Sequence, residues 1–383
     1  MRFTIITFFF MWHTLYAMGQ DSCHLRISLL TISAGEELYS TFGHSALRVT
    51  DSTNQTDIVY NYGTFNFDEP GFYTKFIRGN LLYYLSTDDY TSFSEYAREA
   101  QRGMTEQVLN LNCHEKQNIF SSLQKNLSGT NKYYKYDFAF DNCTTRLRDL
   151  LERAVDSPVV YRPVVKQQTS YRELIYVYLN KNDKQWSKLG IDALLGSRTD
   201  AIMNIRQAMF LPDYLMYSFD SSRVGLKQIV TLKHPSYPFT SSPVVKNFLI
   251  DPVFIFSSIL LLFFFLARSR NAFAQRCLIA FDGLIFFTVG LTGILILIMW
   301  FGTEHLMCRD NFNILWAWPT HSVAAFFIHG KTSWVKRYFR ITAIVNLALL
   351  VVWFFLPQHL NVAFIPIVIL MIYRGLTAGS RML

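Results

Sequence analysis

The stretch YDFAFDNCTTRLRDL, residues 136–150, places a cysteine at the junction of a turn and a helix. Asp141 or Asn142 is a suitable N-cap, so Cys143 should lie in the first helical turn. The residues that follow repeat at i, i+3, i+4 and i+7, the spacing of one apolar helix face: Leu147, Leu150, Leu151 and Ala154.

A thiol at a helix N-terminus is favourably placed for chemistry. The partial positive charge there stabilises a thiolate, and free N–H groups, here those of Asn142–Thr144, can bind an oxyanion. A buried structural cysteine is the alternative, because free cysteine is among the most buried residue types. The stretch alone leaves both interpretations open.

Residues 1–19, MRFTIITFFFMWHTLYAMG, combine a basic Arg2, an apolar run and a small-residue ending. This pattern is typical of a secretory signal peptide. We therefore expect residues 20–247 to form an exported domain.

The chain becomes strongly apolar after this domain, and residues 248–383 are predicted to form an all-α transmembrane domain. Five membrane helices are expected, at residues 248–267, 278–300, 313–329, 341–357 and 360–376.

Basic residues predict the orientation of these helices. Three connecting or terminal segments contain only basic charges: Arg268, Arg270 and Arg276; Lys331, Lys336, Arg337 and Arg340; Arg374 and Arg381. By the positive-inside rule these segments face the cytoplasm. The protein should therefore be a multi-pass inner-membrane protein with a cytoplasmic C-terminus and its exported domain in the periplasm.

The net charge of +8 has the same origin. Residues 20–247 contain 25 Lys and Arg against 24 Asp and Glu, so the exported domain is nearly neutral. The charge pattern gives no indication of nucleic-acid binding.

Disulfides are feasible for the cysteines on the outer side of the membrane. We expect a bridge between Cys23 and Cys113, which leaves Cys143 free to act as a nucleophile. Cys308 is left open as a bridged or a free thiol.

His44 lies on an expected strand hairpin formed by TFGHSALRVTD and DIVYNYGTF. A histidine beside a helix-start cysteine is a standard general base, although a lone strand histidine is more often structural. Asn61, on the next strand, is the candidate that orients the imidazole, and its alternative is a polar residue at a strand end. The order of His44 before Cys143 matches a circularly permuted papain-type arrangement.

The membrane half contains a carboxylate inside a predicted membrane helix and a loop with candidate site residues. Asp282 is expected to pair with Arg276 or to pack between helices. The loop at residues 302–321 contains Trp316, Trp318 and His305, which are candidate substrate-binding residues at the entrance to the site. Its residues offer too few ligands for a metal site. Aromatic residues in the stretch at 72–84 are expected mostly to pack in the core, and the alternative is a surface that meets lipid tails or headgroups.

Several motifs together resemble the Bacteroides-type lipoprotein N-acyltransferases, the Lnb-like family. They are FGHSALRV, VYNYGTFNF, KFIRGNLLYYLS, FAFDNCTTRLRD, GIDALLGSRTD, MFLPDYL and NFNILWAWP. The resemblance implies an α+β permuted papain-like (NlpC-like) domain with Cys143 as nucleophile and His44 as base, followed by a bundle of about five transmembrane helices. It also implies that a phospholipid donates an acyl chain, through a Cys143 thioester, to the α-amino group of a diacylglyceryl lipoprotein, without a cofactor.

Two other interpretations remain at this stage. One is an NlpC-type membrane-anchored cysteine peptidase or amidase that acts on cell-wall peptides. The other is a non-catalytic membrane receptor or scaffold with a relic site.

Overall fold

The computed structural model describes residues 23–238 and 247–378. The predicted signal peptide, residues 1–19, lies outside these described residues.

Antiparallel strands form the framework of the exported part. In chain order they are β1 (Leu25–Ile32), β2 (His44–Asp51), β3 (Thr56–Thr64), β4 (Leu82–Asp89), β5 (Met104–Leu109), β6 (Tyr133–Lys135), β7 (Val159–Val160), β8 (Arg223–Val224), β9 (Lys227–Gln228) and β10 (Val230–Tyr237). Seven of them form one sheet in the order β10-β5-β1-β2-β3-β4-β6, and β7, β8 and β9 form a small second sheet. Leu47 of β2 lies opposite Tyr60 of β3, so the predicted hairpin is confirmed.

Helices cover both faces of the large sheet. The exported part contains α1 (Phe72–Arg78), α2 (Tyr90–Glu99), α3 (Cys113–Leu127), α4 (Cys143–Ala154), α5 (Tyr171–Lys181), α6 (Gln185–Leu194), α7 (Ile205–Ala208) and α8 (Pro212–Ser221). Successive strand residues point to opposite faces. Leu29 accordingly packs with α3 and α4 on one face, and Leu30 packs with Phe93 and Ala97 of α2 on the other.

One disulfide joins two distant segments of the exported part. Cys23 and Cys113 are joined by a disulfide with a Cα–Cα distance of 5.3 Å. This bridge connects the chain before β1 to the first residue of α3. Cys143, Cys277 and Cys308 are free thiols.

The membrane half contains α9 (Pro252–Arg268), α10 (Ala272–Phe301), α11 (His321–Ala324), α12 (Ser333–Val352) and α13 (Ile365–Ala378). Among the described residues, α10 is the one helix that is long and apolar enough to cross a membrane by length and composition.

The prediction of one continuous helix at residues 313–329 was wrong. Two short 3-10 helices and the four-residue α11 occupy this segment, which is interrupted around Pro319. The segment packs closely on α10: a Cβ built on Gly293 would lie 1.9 Å from the Ala317 carbonyl oxygen, and one on Gly290 would lie 2.0 Å from the Ser322 nitrogen. The tight backbone approach replaces the expected helix–helix contact between side chains.

Side chains of the membrane half cap the C-terminus of α6. The last carbonyl groups of a helix have no partner inside the helix. Asn311 Nδ2 donates to the carbonyls of Ala193 and Leu194 at 2.9 and 3.0 Å, and Asn313 Nδ2 donates to that of Asp192 at 2.8 Å. The exported part is therefore fixed to the membrane half by hydrogen bonds from side-chain amides to backbone carbonyls.

A buried ionic network strengthens the same junction. The Asp192 carboxylate accepts hydrogen bonds from Arg172 at 2.7 Å, Tyr176 at 2.6 Å and Asn361 at 2.7 Å. Arg172 also pairs with Asp200 at 2.8 Å. Buried charges are tolerated only when paired and hydrogen-bonded, and this network meets both conditions.

Asp282 does not pair with Arg276, as one interpretation expected. Its carboxylate makes two hydrogen bonds of 2.6 Å with Arg374 and lies 3.1 Å from His329 Nε2. Arg374 is part of α13 rather than of a tail beyond it. The pair is buried between α10 and α13, where a lone charge would be costly.

Replacing Asp282 alone should destabilise the protein because it leaves Arg374 buried without its counter-charge. We expect Asp282→Asn to lower the free energy of unfolding by about 3–5 kcal/mol. The double variant Asp282→Leu, Arg374→Leu should recover most of this loss. Thermal unfolding of the detergent-solubilised protein measures both effects.

The matched control is Glu95→Gln, which removes an exposed ion pair with Arg98 and should change little. A double variant as unstable as the single one would contradict the prediction.

Candidate active site

Cys143 is the first residue of α4, as the sequence predicted. Asn142 is the N-cap, and its Oδ1 accepts hydrogen bonds from the N–H groups of Thr144 and Thr145, both at 2.9 Å. Its amide group donates to the Phe138 and Phe210 carbonyls. Asn142 thus anchors the helix start to two other segments.

The expectation that the Asn142–Thr144 N–H groups together hold an oxyanion was wrong for two of the three. The Asn142 N–H donates to Thr145 Oγ1 at 2.8 Å, and the Thr144 N–H donates to Asn142 Oδ1. Capping uses both of these groups. Of the three N–H groups, that of Cys143 alone has no partner within the described part of the chain.

His44, Asn61 and Cys143 are brought together although 99 residues separate the histidine from the cysteine. His44 begins β2, Asn61 lies on the adjacent β3, and His44 Nε2 is 2.5 Å from Asn61 Oδ1. An amide oxygen only accepts hydrogen bonds, so Nε2 carries the proton. Nδ1 is then the nitrogen that is available to Cys143, and the two groups lie close enough to shift each other's pKa.

The electrostatics of the pair favour an ionised thiol. Burial by itself raises the pKa of the Cys143 thiol, but the charge and hydrogen bond of His44 outweigh it and bring that pKa down to about 7. Burial lowers the pKa of His44, whereas Cys143 and Asn61 raise it, and the net shift is upward. The backbone N–H of Ser45 also lowers the pKa of the thiol. The arrangement is that of an activated nucleophile with its general base.

Sequence reasoning missed Gly63, which lines the same space. It sits at a register shift of β3 with a φ of +97°, and a Cβ there would lie 3.7 Å from Cys143 Cβ and 3.9 Å from His44 Cε1. A glycine inside a strand pattern indicates a bulge or a close approach, and this signal was available in NYGTF.

An apolar cavity of about 220 Å³ lies beside the loop that precedes α4. Its lining is mostly aliphatic and aromatic: Phe42, Asp137, Phe138, Ala139, Tyr171, Ile175, Ile191, Leu195, Phe210, His305, Leu306, Met307 and Cys308. Phe138 and Phe210 connect the cavity to the helix start, because their carbonyls bind the Asn142 amide. The exported part and the loop after α10 both contribute to its walls.

The three candidate substrate-binding residues lie in different parts of the structure. His305 lines the cavity, and its Nε2 donates to the Phe76 carbonyl at 3.2 Å. Trp316 is 2% exposed and packs on Phe364, and Trp318 donates to the Leu315 carbonyl. Neither tryptophan lines this cavity, and their role in substrate binding stays a prediction.

Cys308 lines the cavity and is not placed to act as a second nucleophile. It is buried, and burial raises the pKa of its thiol to about 12. No cluster of three or more His, Cys, Asp or Glu side chains that could hold a metal occurs in residues 23–238 or 247–378.

The fold and the site define a membrane-anchored protein with a cysteine–histidine pair in its exported part. Residues 18–175 match the family model of the Lnb N-terminal periplasmic domain, and residues 244–380 match that of the Lnb transmembrane domain. The two matches cover well over half of the chain, which belongs to the Lnb-like lipoprotein N-acyltransferase family. No curated protein and no solved structure matches.

Family membership indicates an acyltransferase of lipoprotein maturation, embedded in a membrane with a periplasmic domain. The matched ranges agree with the division between the sheet-containing part and the helical part described above.

The reactivity of Cys143 should depend on pH through His44. We expect its alkylation by iodoacetamide to rise with pH around a midpoint near 7. His44→Ala removes the positive charge that stabilises the thiolate, so the midpoint should move up to about 8.5 or higher. Peptide mapping by mass spectrometry measures the rate at this cysteine, with Cys308 as an internal reference that reacts slowly. An unchanged midpoint in the variant would contradict the ion pair.

Proposed function

We propose that the protein transfers a fatty acyl chain from a phospholipid to the α-amino group of the lipidated N-terminal cysteine of lipoproteins. Cys143 carries the chain as a thioester between the two half-reactions. The observation that carries this proposal is the series Asn61–His44–Cys143 in the periplasmic domain of an Lnb-like chain, with His44 hydrogen-bonded to Asn61 and electrostatically coupled to Cys143.

The first half-reaction begins with transfer of the thiol proton to His44 Nδ1. The sulfur attacks the ester carbonyl of the phospholipid and forms a tetrahedral intermediate. When this collapses, the bond to the glycerol oxygen breaks, and His44 returns the proton to that oxygen. The products are the Cys143 thioester and a lysophospholipid.

The second half-reaction uses the same groups in the opposite sense. The neutral α-amine of the lipoprotein attacks the thioester carbonyl, and His44 accepts a proton from the amine nitrogen. The carbon–sulfur bond breaks, an amide remains on the lipoprotein, and the sulfur leaves as a thiolate that recovers the proton. Donor and acceptor therefore react in ping-pong order.

Asn61 acts on this sequence by orienting the imidazole. Its Oδ1 holds the proton on Nε2, which keeps Nδ1 free for the sulfur. A group that selects the tautomer of a catalytic histidine has a large effect on rate without touching the substrate.

Two further observations support an acyl substrate over a peptide. The cavity beside α4 is lined mainly by apolar side chains, and part of its wall comes from the loop that directly follows α10. Donor and acceptor are both lipids of the same outer leaflet, so anchoring the enzyme there raises their effective concentration.

The finer architecture follows the same proposal. A helix-start cysteine packed on a sheet whose earlier strands supply the histidine and its partner is consistent with a permuted papain-like (NlpC-like) domain. We further propose a multi-pass inner-membrane protein with five spans and a cytoplasmic C-terminus. In that case the short segment around α11 completes the third span with non-helical backbone buried among its neighbours.

The proposal predicts a third acyl chain on lipoproteins in a strain that lacks its own N-acylating enzyme. Expression of this protein should add that chain, as measured by mass spectrometry of lipoprotein N-terminal peptides, and Cys143→Ser should abolish it. Intact-protein mass spectrometry of the wild type mixed with phospholipid alone should show one acyl chain on Cys143.

Cys277→Ser is the matched control, because this free cysteine lies on α10 away from the site. Cleaved cell-wall stem peptides, with no acyl chain on Cys143, would instead indicate a peptidase. An unchanged cellular phenotype in both Cys143→Ala and His44→Ala would indicate a scaffold.

A further inference from the structure

The hydroxyl group of Tyr134 has no hydrogen-bond partner within the described residues, although the residue is only 6% exposed. Buried hydroxyl groups are nearly always hydrogen-bonded, and an exception calls for an explanation. Tyr134 lies on β6, at the edge of the sheet beyond β4.

The hydroxyl faces the space between the nucleophile and the base. A Cβ built on Gly63 would lie 3.9 Å from Tyr134 Oη, 3.7 Å from Cys143 Cβ and 3.9 Å from His44 Cε1. Tyr134, Cys143 and His44 thus surround a space that is open because Gly63 has no side chain. A carbonyl group that the sulfur attacks must occupy this neighbourhood.

The Arg146 guanidinium packs on the face of the Tyr134 ring and holds it in place. The guanidinium carbon lies 3.6 Å from the centroid of the Tyr134 ring. Asp141 holds the guanidinium in place through hydrogen bonds of 2.6 and 2.8 Å. A cation at this position favours negative charge on an oxygen beside the hydroxyl.

We propose that Tyr134 is a further catalytic residue, whose hydroxyl donates a hydrogen bond to the oxyanion of the tetrahedral intermediates, together with the Cys143 N–H. The inference rests on the proposed acyl transfer, and no bond of the tyrosine forms or breaks in it. Burial raises the pKa of the phenol, so it remains protonated and able to donate.

The test separates this role from the identity of the natural substrates. Full-length protein in detergent is mixed with p-nitrophenyl butyrate, and the rate of Cys143 acylation is followed by nitrophenolate release and intact mass. We expect Tyr134→Phe to lower this rate about 100-fold to 1,000-fold. The pH midpoint of Cys143 alkylation should stay unchanged, because the ion pair with His44 remains.

Tyr60→Phe is the matched control, since it removes a buried hydroxyl that is satisfied by Gln124 at 2.7 Å. A Tyr134→Phe rate within threefold of the wild type would overturn the assignment, and so would a shifted alkylation midpoint, which would indicate a structural role. If the wild type accepts the ester but adds no chain to lipoproteins, the proposed function fails while the Tyr134 result stands.

A second, independent observation concerns α1. Tyr73, Phe76 and Ile77 are 76%, 50% and 49% exposed. Core packing was expected for most aromatic residues of this stretch, and it holds for Phe72 and Tyr83 but is wrong for Tyr73 and Phe76. An exposed apolar cluster on one short helix indicates a binding surface.

The position of α1 identifies what covers this surface. The Glu304 N–H donates to the Arg78 carbonyl at 2.9 Å, and His305 donates to the Phe76 carbonyl. Lys135 pairs with Glu304 at 2.8 Å. The loop that contains Glu304 and His305 directly follows Phe301, the last residue of α10. Because this loop is hydrogen-bonded to α1, α1 lies level with the outer end of α10.

We infer that α1 lies in the interface of the outer leaflet and contacts phospholipid through Tyr73, Phe76 and Ile77. Aromatic side chains partition well at this depth, and the nearby Arg78 suits the level of the phosphates. The helix then lies on the lipid side of the site, where the lipid substrates enter.

The test uses full-length protein in vesicles of phosphatidylethanolamine and phosphatidylglycerol that contain a photoactivatable phospholipid. Peptide mapping should show cross-links on residues 72–78, reduced at least fivefold in the variant Tyr73→Ser, Phe76→Ser, Ile77→Ser. The control is α2, whose Tyr96 is 50% exposed on the exported part. Labelling of α10 without α1, or equal labelling of α1 and α2, would overturn the inference whatever the enzyme transfers.

Discussion

The side chain of Asn142 determines where the reactive sulfur stands. It makes four hydrogen bonds, accepting from Thr144 and Thr145 and donating to Phe138 and Phe210. These bonds use the full capacity of the amide and join the helix start, the loop before it and the segment before α8. The next residue, Cys143, is thereby held against the first residues of β2, and the site depends on this anchoring.

Two opposing effects set the chemistry of the site. Burial disfavours a charged sulfur, and the adjacent imidazole favours it, with a net result that brings the pKa of Cys143 to about 7. Cys308 has no such partner, and burial, followed by the negative charge of Asp137, raises the pKa of its thiol to about 12. The two buried free thiols therefore have opposite pKa shifts, and a neighbouring histidine rather than exposure distinguishes them.

Polar side chains of the membrane half fix the position of the exported part against it. Asn311 and Asn313 cap the C-terminus of α6, and Asn361 joins the buried network of Arg172 and Asp192. These contacts bring the loop after α10 against the catalytic part and close one wall of the apolar cavity. The junction, the cavity and α1 therefore all lie where the exported part meets the loop after α10.

Local sequence patterns were sufficient for the elements and for part of the site. The N-cap before Cys143, the hairpin that contains His44 and the apolar course of α10 each follow from residues a few positions apart. The continuous helix expected at 313–329 failed because Gly290 and Gly293 admit an irregular backbone against α10, and a hydropathy pattern does not register such an approach.

Sequence alone therefore determined the domain order, the helix-start thiol and the candidate base. Only the tertiary structure decided the Asn61 contact, the Arg374 partner of Asp282, the burial of Trp316 and the unpartnered Tyr134 hydroxyl. The physical reason is distance along the chain. Periodicity and caps report neighbours within a turn or two, whereas these contacts join segments whose approach is set by how the sheet and helices pack.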